Sequence, residues 1–134
     1  MKQMLLMLSM LLVVTTSNCK DNKQELGEIQ IVTPVEMITL LHDDEVQLID
    51  VRTPEEVDEG FIANSQNIDF FSSSFSTDIG KLDKTKPVIL YCRSGKRSEK
   101  SAQILKESGF KKIYDLDGGF IRWKDEGFEV TTHK

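Results

Sequence analysis

Val88-Ile89-Leu90-Tyr91-Cys92-Arg93-Ser94-Gly95-Lys96-Arg97-Ser98 is the stretch from which the fold can be read. Val88 to Tyr91 is a continuous apolar run, short and rich in strand-forming side chains, the pattern of a strand buried on both faces of a parallel sheet. After the loop that begins at Cys92, residues Ser98 to Ser108 read as a helix with Ala102 and Leu105 on one face, and Gly109 stands where a helix-terminating glycine belongs. Downstream the alternation repeats: Ile113-Tyr114-Asp115-Leu116 reads as a strand and Gly119 to Glu126 as a helix closed by Gly127. Upstream, Thr33-Pro34-Val35-Glu36 carries a capping threonine, a proline at the first helical position and a glutamate three after the cap, so a helix should run from Pro34 to about His42. Val46 to Val51 is a second β-branched run, and Thr53-Pro54-Glu55-Glu56 caps a short helix that ends at Gly60. Strands alternating with helices at this spacing imply an α/β fold, a small open parallel sheet flanked by helices on both faces.

The chain has 134 residues, 17 basic and 22 acidic, a formal net charge of −5, with 39% hydrophobic and 29% charged residues. That suffices for one domain with its own core and excludes a disordered or collagen-like chain. The acidic balance argues against nucleic acid as a partner. Two cysteines, Cys19 and Cys92, are too few for a disulfide scaffold or a four-thiolate zinc site, and the two histidines do not cluster with them; no metal and no cofactor is expected.

Residues 1–18 have the pattern of a signal peptide: one lysine, Lys2, no acid, and an apolar stretch from Met4 to Val14 interrupted only by Ser9. That stretch is far shorter than the roughly 20 residues a membrane-spanning helix needs. A small polar run then leads to Cys19, which at that place resembles the lipidated cysteine of a bacterial lipoprotein signal. Residues 19–28 are polar without apolar periodicity and read as a tether that reaches roughly 30 Å when extended. Residues 29–134 form the domain. The expected location is therefore outside the cytoplasm, on the periplasmic side of a bacterial membrane, held there by lipid on Cys19. Without residues 1–18 the net charge is −6.

Against that acidity, Cys92 to Lys100 carries Arg93, Lys96, Arg97 and Lys100 with the single acid Glu99, a local +3. Open parallel sheets bind ligands at the carboxyl ends of their strands, where Cys92 stands. Cationic neighbours and a following helix N-terminus favour a thiolate, and a short loop containing Gly95 can turn its backbone N–H groups toward one anion. The spacing excludes two anion chemistries. A cysteine phosphatase loop has five residues between its cysteine and its arginine, whereas here Arg97 follows after four and Ser98 occupies the phosphatase place. A nucleotide P-loop would need an upstream glycine and Ser or Thr after Gly95-Lys96.

On these residues the chain resembles a single-domain rhodanese, a thiosulfate sulfurtransferase homologue. Three segments carry the resemblance in the family's order: Leu48 to Glu56, Tyr91 to Ser98, and Leu116-Asp117-Gly118-Gly119-Phe120 with Trp123. The resemblance implies a six-residue active loop from Cys92 to Arg97, with Cys92 as the persulfide-forming nucleophile and Arg93, Ser94, Gly95, Lys96, Arg97 and Ser98 binding the substrate. The implied partners are a small anionic sulfur donor and a thiol or cyanide acceptor, and the alternative is a membrane-tethered persulfide carrier with little thiosulfate turnover. One segment departs from the family: where its pattern has Gly-His-Ile-x-Gly-Ala-x-Asn-Ile, this chain has Gly60-Phe61-Ile62-Ala63-Asn64-Ser65-Gln66-Asn67-Ile68. Asp50 and Arg52, charged and at a strand end, are read as structural support, a clamp with a nearby glutamate such as Glu56. Trp123 is read as core.

Overall fold

The computed structural model describes residues 26–133. The signal segment, Cys19 and the tether as far as residue 25 lie outside the described residues. Five strands, β1 (Glu28–Val32), β2 (Gln47–Asp50), β3 (Gln66–Asn67), β4 (Val88–Tyr91) and β5 (Lys112–Leu116), form one parallel sheet in the order β1-β5-β4-β2-β3. The helices are α1 (Pro34–Leu40), α2 (Pro54–Asp58), α3 (Phe75–Ile79), α4 (Lys96–Glu107) and α5 (Gly119–Asp125).

The sheet has a core on each face, as its sequence pattern implies. On one side Phe75 and Ile79 of α3 and Ala102 and Leu105 of α4 cover Ile49, Val88, Leu90 and Ile113. On the other, Met37 of α1 and Phe120 and Trp123 of α5 cover Leu48, Ile89, Tyr91 and Leu116. Trp123 is a core residue, its indole N–H donating to the Glu129 carbonyl at 2.8 Å. All four residues of β4 are fully buried, because this strand lies in the middle of the sheet with a helical layer on both sides. Each such side chain contributes roughly 1.5–3 kcal/mol of burial, which anchors the strand that ends at Cys92.

Both capping boxes form: Thr33 with Glu36 at α1, and Thr53 with Glu56 at α2. The boundaries differ from the sequence reading where hydrogen bonding overrides pattern. Helix α1 stops at Leu40, since the N–H groups of His42 and Asp43 turn back to the Thr39 and Leu40 carbonyls. Helix α4 starts at Lys96, two residues before Ser98, because Gly95 takes the left-handed conformation (φ 111°) and launches the helix at once. Glu28, polar enough to be counted in the tether, pairs with Lys112 as the first residue of β1. That strand has only Val32 buried, so no apolar run announced it.

The segment that departs from the family pattern is packed by its own substitutes. Asn64 adopts φ 64°, a left-handed conformation that asparagine tolerates better than other non-glycine residues. The Ser65 hydroxyl lies 3.0 Å from the Tyr91 hydroxyl, which also accepts from the Ile62 N–H. Phe61 bridges to Thr131 and sets its ring 4.7 Å from that of His133.

Candidate active site

Cys92 continues β4 past its last paired residue, and its side chain is 1% exposed. The chain curls so that the Gly95 N–H points back at Cys92 Sγ, 3.0 Å away. The Ser98 hydroxyl lies 3.5 Å from the same sulfur and donates to the Gly95 carbonyl at 3.0 Å. Helix α4 thus begins directly at the sulfur, and its first turn is tied to the loop through Ser98 and through the Glu99 N–H to Gly95 carbonyl bond.

The loop is braced from behind by the third signature segment. The Phe120 and Ile121 N–H groups donate to the Cys92 and Arg93 carbonyls at 2.8 and 3.1 Å. A Cβ on Gly119 would lie 2.6–2.7 Å from the Cys92 carbonyl oxygen and the Arg93 carbonyl group, inside contact distance, so only glycine lets α5 approach this closely. Gly119 therefore serves Cys92 by letting the start of α5 close on its loop.

Of the loop residues expected to bind substrate, Arg93, Ser94 and Lys96 are exposed and Gly95 is half-buried. Ser98 is fully buried, so it holds the loop rather than facing a ligand. Arg97 is committed elsewhere: its two terminal nitrogens each lie 2.7 Å from an oxygen of the Glu56 carboxylate. Glu56 sits 41 positions earlier in the chain, at the third position of α2, where its side chain also accepts from the Thr53 N–H at 3.0 Å. The hydrogen bond from Arg97 pulls the Glu56 carboxyl down to about 2, against the opposing effect of partial burial. The ion pairs among the described residues do not include Arg93, Lys96 or Lys100, so these three carry the loop's outward positive charge.

Asp50 and Arg52 do form a clamp, but its wiring differs from the sequence expectation. Arg52 closes on Asp50, with Nη2 2.6 Å and Nε 2.9 Å from carboxylate oxygens, and reaches Glu56 only at its backbone carbonyl. The Glu56 carboxylate belongs to Arg97 because it projects from α2 toward α4, while Arg52 is buried beneath α2. Nη2 of Arg52 also donates to the Gly60 carbonyl at 2.8 Å, and the guanidinium lies 4.0 Å from the Phe120 ring centre.

Beside the loop runs an open groove of about 660 Å³, floored by Phe70 and Phe71 and edged by Arg93, Lys96 and Lys100. Phe71 is 68% exposed, with the Arg97 guanidinium 5.4 Å from its ring centre. Sequence reasoning did not find the Glu56–Arg97 pair, Phe71 or the Gly119 contact. The first signal was half visible, since Glu56 was named in its capping box, but no local pattern joins residues so far apart in the chain.

The rhodanese-like domain profile matches residues 33–126. An uncharacterized protein of Bacillus subtilis, YqhL, is 42% identical over 77 residues, 58% of this chain and 60% of that protein, so the chain spans less than two thirds of that relative's length. The thiosulfate sulfurtransferase GlpE of Coxiella burnetii is 36% identical over 93 residues, 69% of this chain and 85% of that one. Among solved structures, the polysulfide-sulfur transferase homodimer of Wolinella succinogenes superposes with a TM-score of 0.67 at 28% identity, covering 79% of this chain and 80% of that one. A parallel sheet whose central strand delivers a cysteine into a six-residue loop, matched by that profile and by those relatives, makes this chain a member of the rhodanese-like family.

Proposed function

We propose that the protein is a sulfurtransferase that moves a sulfane sulfur from an anionic donor to a thiophilic acceptor through a persulfide on Cys92. The observation that carries the reading is the seat of Cys92 Sγ: at the end of the central strand, facing the Gly95 N–H at 3.0 Å, in a loop whose Arg93 and Lys96 are exposed. In the first half-reaction the Cys92 thiolate attacks the outer sulfur of a thiosulfate-like donor. A new S–S bond forms, the donor's S–S bond breaks, and sulfite leaves with the electron pair. In the second, cyanide or a thiolate attacks the terminal sulfur of the persulfide and returns Cys92 as thiolate. The negative charge on the persulfide is met by backbone N–H groups of the curled loop, and Arg93 and Lys96 draw the anionic donor in. Two half-reactions on one nucleophile give ping-pong kinetics.

A second reading is favoured by the commitment of Arg97 to Glu56. With that guanidinium paired, the loop has one cation fewer for a dianionic donor, which suits a carrier that receives sulfur from a partner and turns over thiosulfate slowly. For either reading we take residues 1–18 as an export signal and Cys19 as a lipid-bearing anchor, which places the reaction on the periplasmic side of a membrane. Globomycin sensitivity and lipid on the N-terminal peptide test the anchor.

The deciding measurement is sulfur transfer from thiosulfate and from polysulfide to cyanide and to a thiol, with intact-mass detection of a one-sulfur adduct. Activity that disappears in Cys92→Ser supports the enzyme. A stable adduct on Cys92 with negligible turnover supports the carrier, and transfer retained by Cys92→Ser refutes both.

A further inference from the structure

The groove beside the active loop is larger than an inorganic sulfur donor needs, and it is built differently. Its volume is about 660 Å³, within the roughly 300–1,000 Å³ of sites that hold organic ligands, whereas a thiosulfate-like anion is only a handful of atoms. Its floor is apolar and rooted in the core. The Phe71 ring, on a residue 68% exposed, meets Phe70 edge-on at 5.6 Å, and Phe70 meets the buried Phe75 edge-on at 5.2 Å. The Phe71 N–H donates to the Asp69 carboxylate at 2.9 Å, which fixes the turn that presents the ring. Its wall is cationic: Lys96 and Lys100 stand one turn apart on α4, about 6 Å along the helix axis, and Arg93 joins them from the loop. The acid among the groove's lining residues, Glu56, is spent on Arg97, and Glu99 lines a different cleft with Leu26 and Gln103. Three cations without ion-pair partners among the described residues therefore face one aromatic floor, in a chain whose net charge is −5.

We propose that this groove docks the sulfur acceptor as an acidic, extended segment of a partner protein that carries the acceptor thiol. Charge complementarity selects the occupant. Side chains two residues apart on an extended segment recur on one side every ~6.6–6.8 Å, so two carboxylates at that spacing can meet Lys96 and Lys100 together. A further apolar side chain of the segment covers Phe71. A nucleic-acid strand also offers anions and rings, but it brings no thiol, and its run of phosphates would meet the chain's acidity beyond these three cations. Resting on the persulfide reading of Cys92, the inference names its acceptor. The segment's thiolate attacks the terminal sulfur of the Cys92 persulfide, a new S–S bond forms on the partner, and Cys92 leaves as thiolate with the electron pair of the broken S–S bond. The acceptor thiol's proton goes to solvent.

The probes are a cysteine peptide flanked by Asp and Glu and containing one Phe, and the same peptide with Asn and Gln in place of its acids. Binding is measured by fluorescence anisotropy on the Cys92→Ser protein, where no sulfur moves. The acidic peptide is expected to bind about tenfold tighter than its amide analogue at low salt, with the preference gone by about 0.5 M salt. Lys96→Glu combined with Lys100→Glu should erase the preference, and Phe71→Ser should weaken both peptides about fivefold while the preference stays. Equal affinities for the two peptides, or a preference untouched by the lysine substitutions, overturns the docking. So does tighter binding of a thymidine oligonucleotide, or a wild-type dimer in sedimentation that Phe71→Ser dissociates. Discharge is then followed by intact mass from Cys92 persulfide prepared with polysulfide. The acidic peptide should remove the sulfur about tenfold faster than the amide analogue, and Lys100→Glu should lower the ratio of peptide to cyanide discharge about tenfold. Equal rates for the two peptides, from a persulfide that cyanide does discharge, overturn the acceptor assignment. If no persulfide forms, the proposed function fails, and the binding measurement still decides the groove.

Discussion

Strands β2 and β4 lie side by side and end at the same edge of the sheet, yet their ends are put to opposite uses. At the end of β2, Asp50 and Arg52 satisfy each other in a fully buried pair, and Asn67 caps the arrangement by donating to the Asp50 and Arg52 carbonyls at 3.0 and 2.8 Å. Every buried side-chain polar atom of this pair has a hydrogen-bond partner. At the end of β4, the sulfur of Cys92 faces the Gly95 N–H and the Ser98 hydroxyl, and the exposed Arg93, Lys96 and Lys100 that follow it have no ion-pair partners among the described residues. Chemical potential resides at the strand end whose groups are not internally balanced, and the neighbouring end, balanced, serves as its support.

This contrast can be broken or sharpened by substitution. Cys92→Ser should lower sulfur transfer roughly a thousandfold or more with the melting temperature unchanged, because the group removed reacts but does not brace. Arg52→Ala should do the reverse, costing about 3–5 kcal/mol in denaturant unfolding because it strands the buried Asp50 charge; an unchanged stability would break the comparison. Glu56→Gln, at the boundary between the two ends, should cost about 1–2 kcal/mol at neutral pH, discounted for the partial exposure of the pair. The sign follows from the lowered carboxyl: the stabilisation is present above 4.5 and is lost as pH falls toward about 2, so the acid limb of the stability curve should flatten in the variant. Arg93→Ala should have the smallest effect, about a three- to tenfold rise in KM for an anionic donor that shrinks with added salt, at unchanged stability.

Several features of the site were legible in the chain itself. Val88 to Tyr91 read as an interior strand and is one, and the abrupt change from apolar to cationic residues at Cys92 marked where the strand ends and a loop begins. The two Thr-Pro-x-Glu boxes placed α1 and α2 because a cap is a local hydrogen-bond pattern of four consecutive residues. Strands β1 and β3 and helix α3 escaped the reading for the same reason in reverse. Their residues are polar or serine-rich, and only pairing with β5 and β2, or packing of Phe75 and Ile79 on the sheet, gives them their shape.

The sequence by itself determined the alternating α/β order, the central strand, the place of Cys92 at that strand's end and the length of the loop that follows, since these depend on periodicity and spacing along the chain. Only the tertiary structure decided which charges remain available. Arg93 and Arg97 are equivalent as letters in a basic loop, but folding brings Glu56 to Arg97 and leaves Arg93 facing solvent. It also turned Asp115, one acid among 22, into a buried carboxyl with one oxygen unpartnered among the described residues. Charge is carried by single residues, but its balance is a property of neighbours, and neighbours are assigned by the fold.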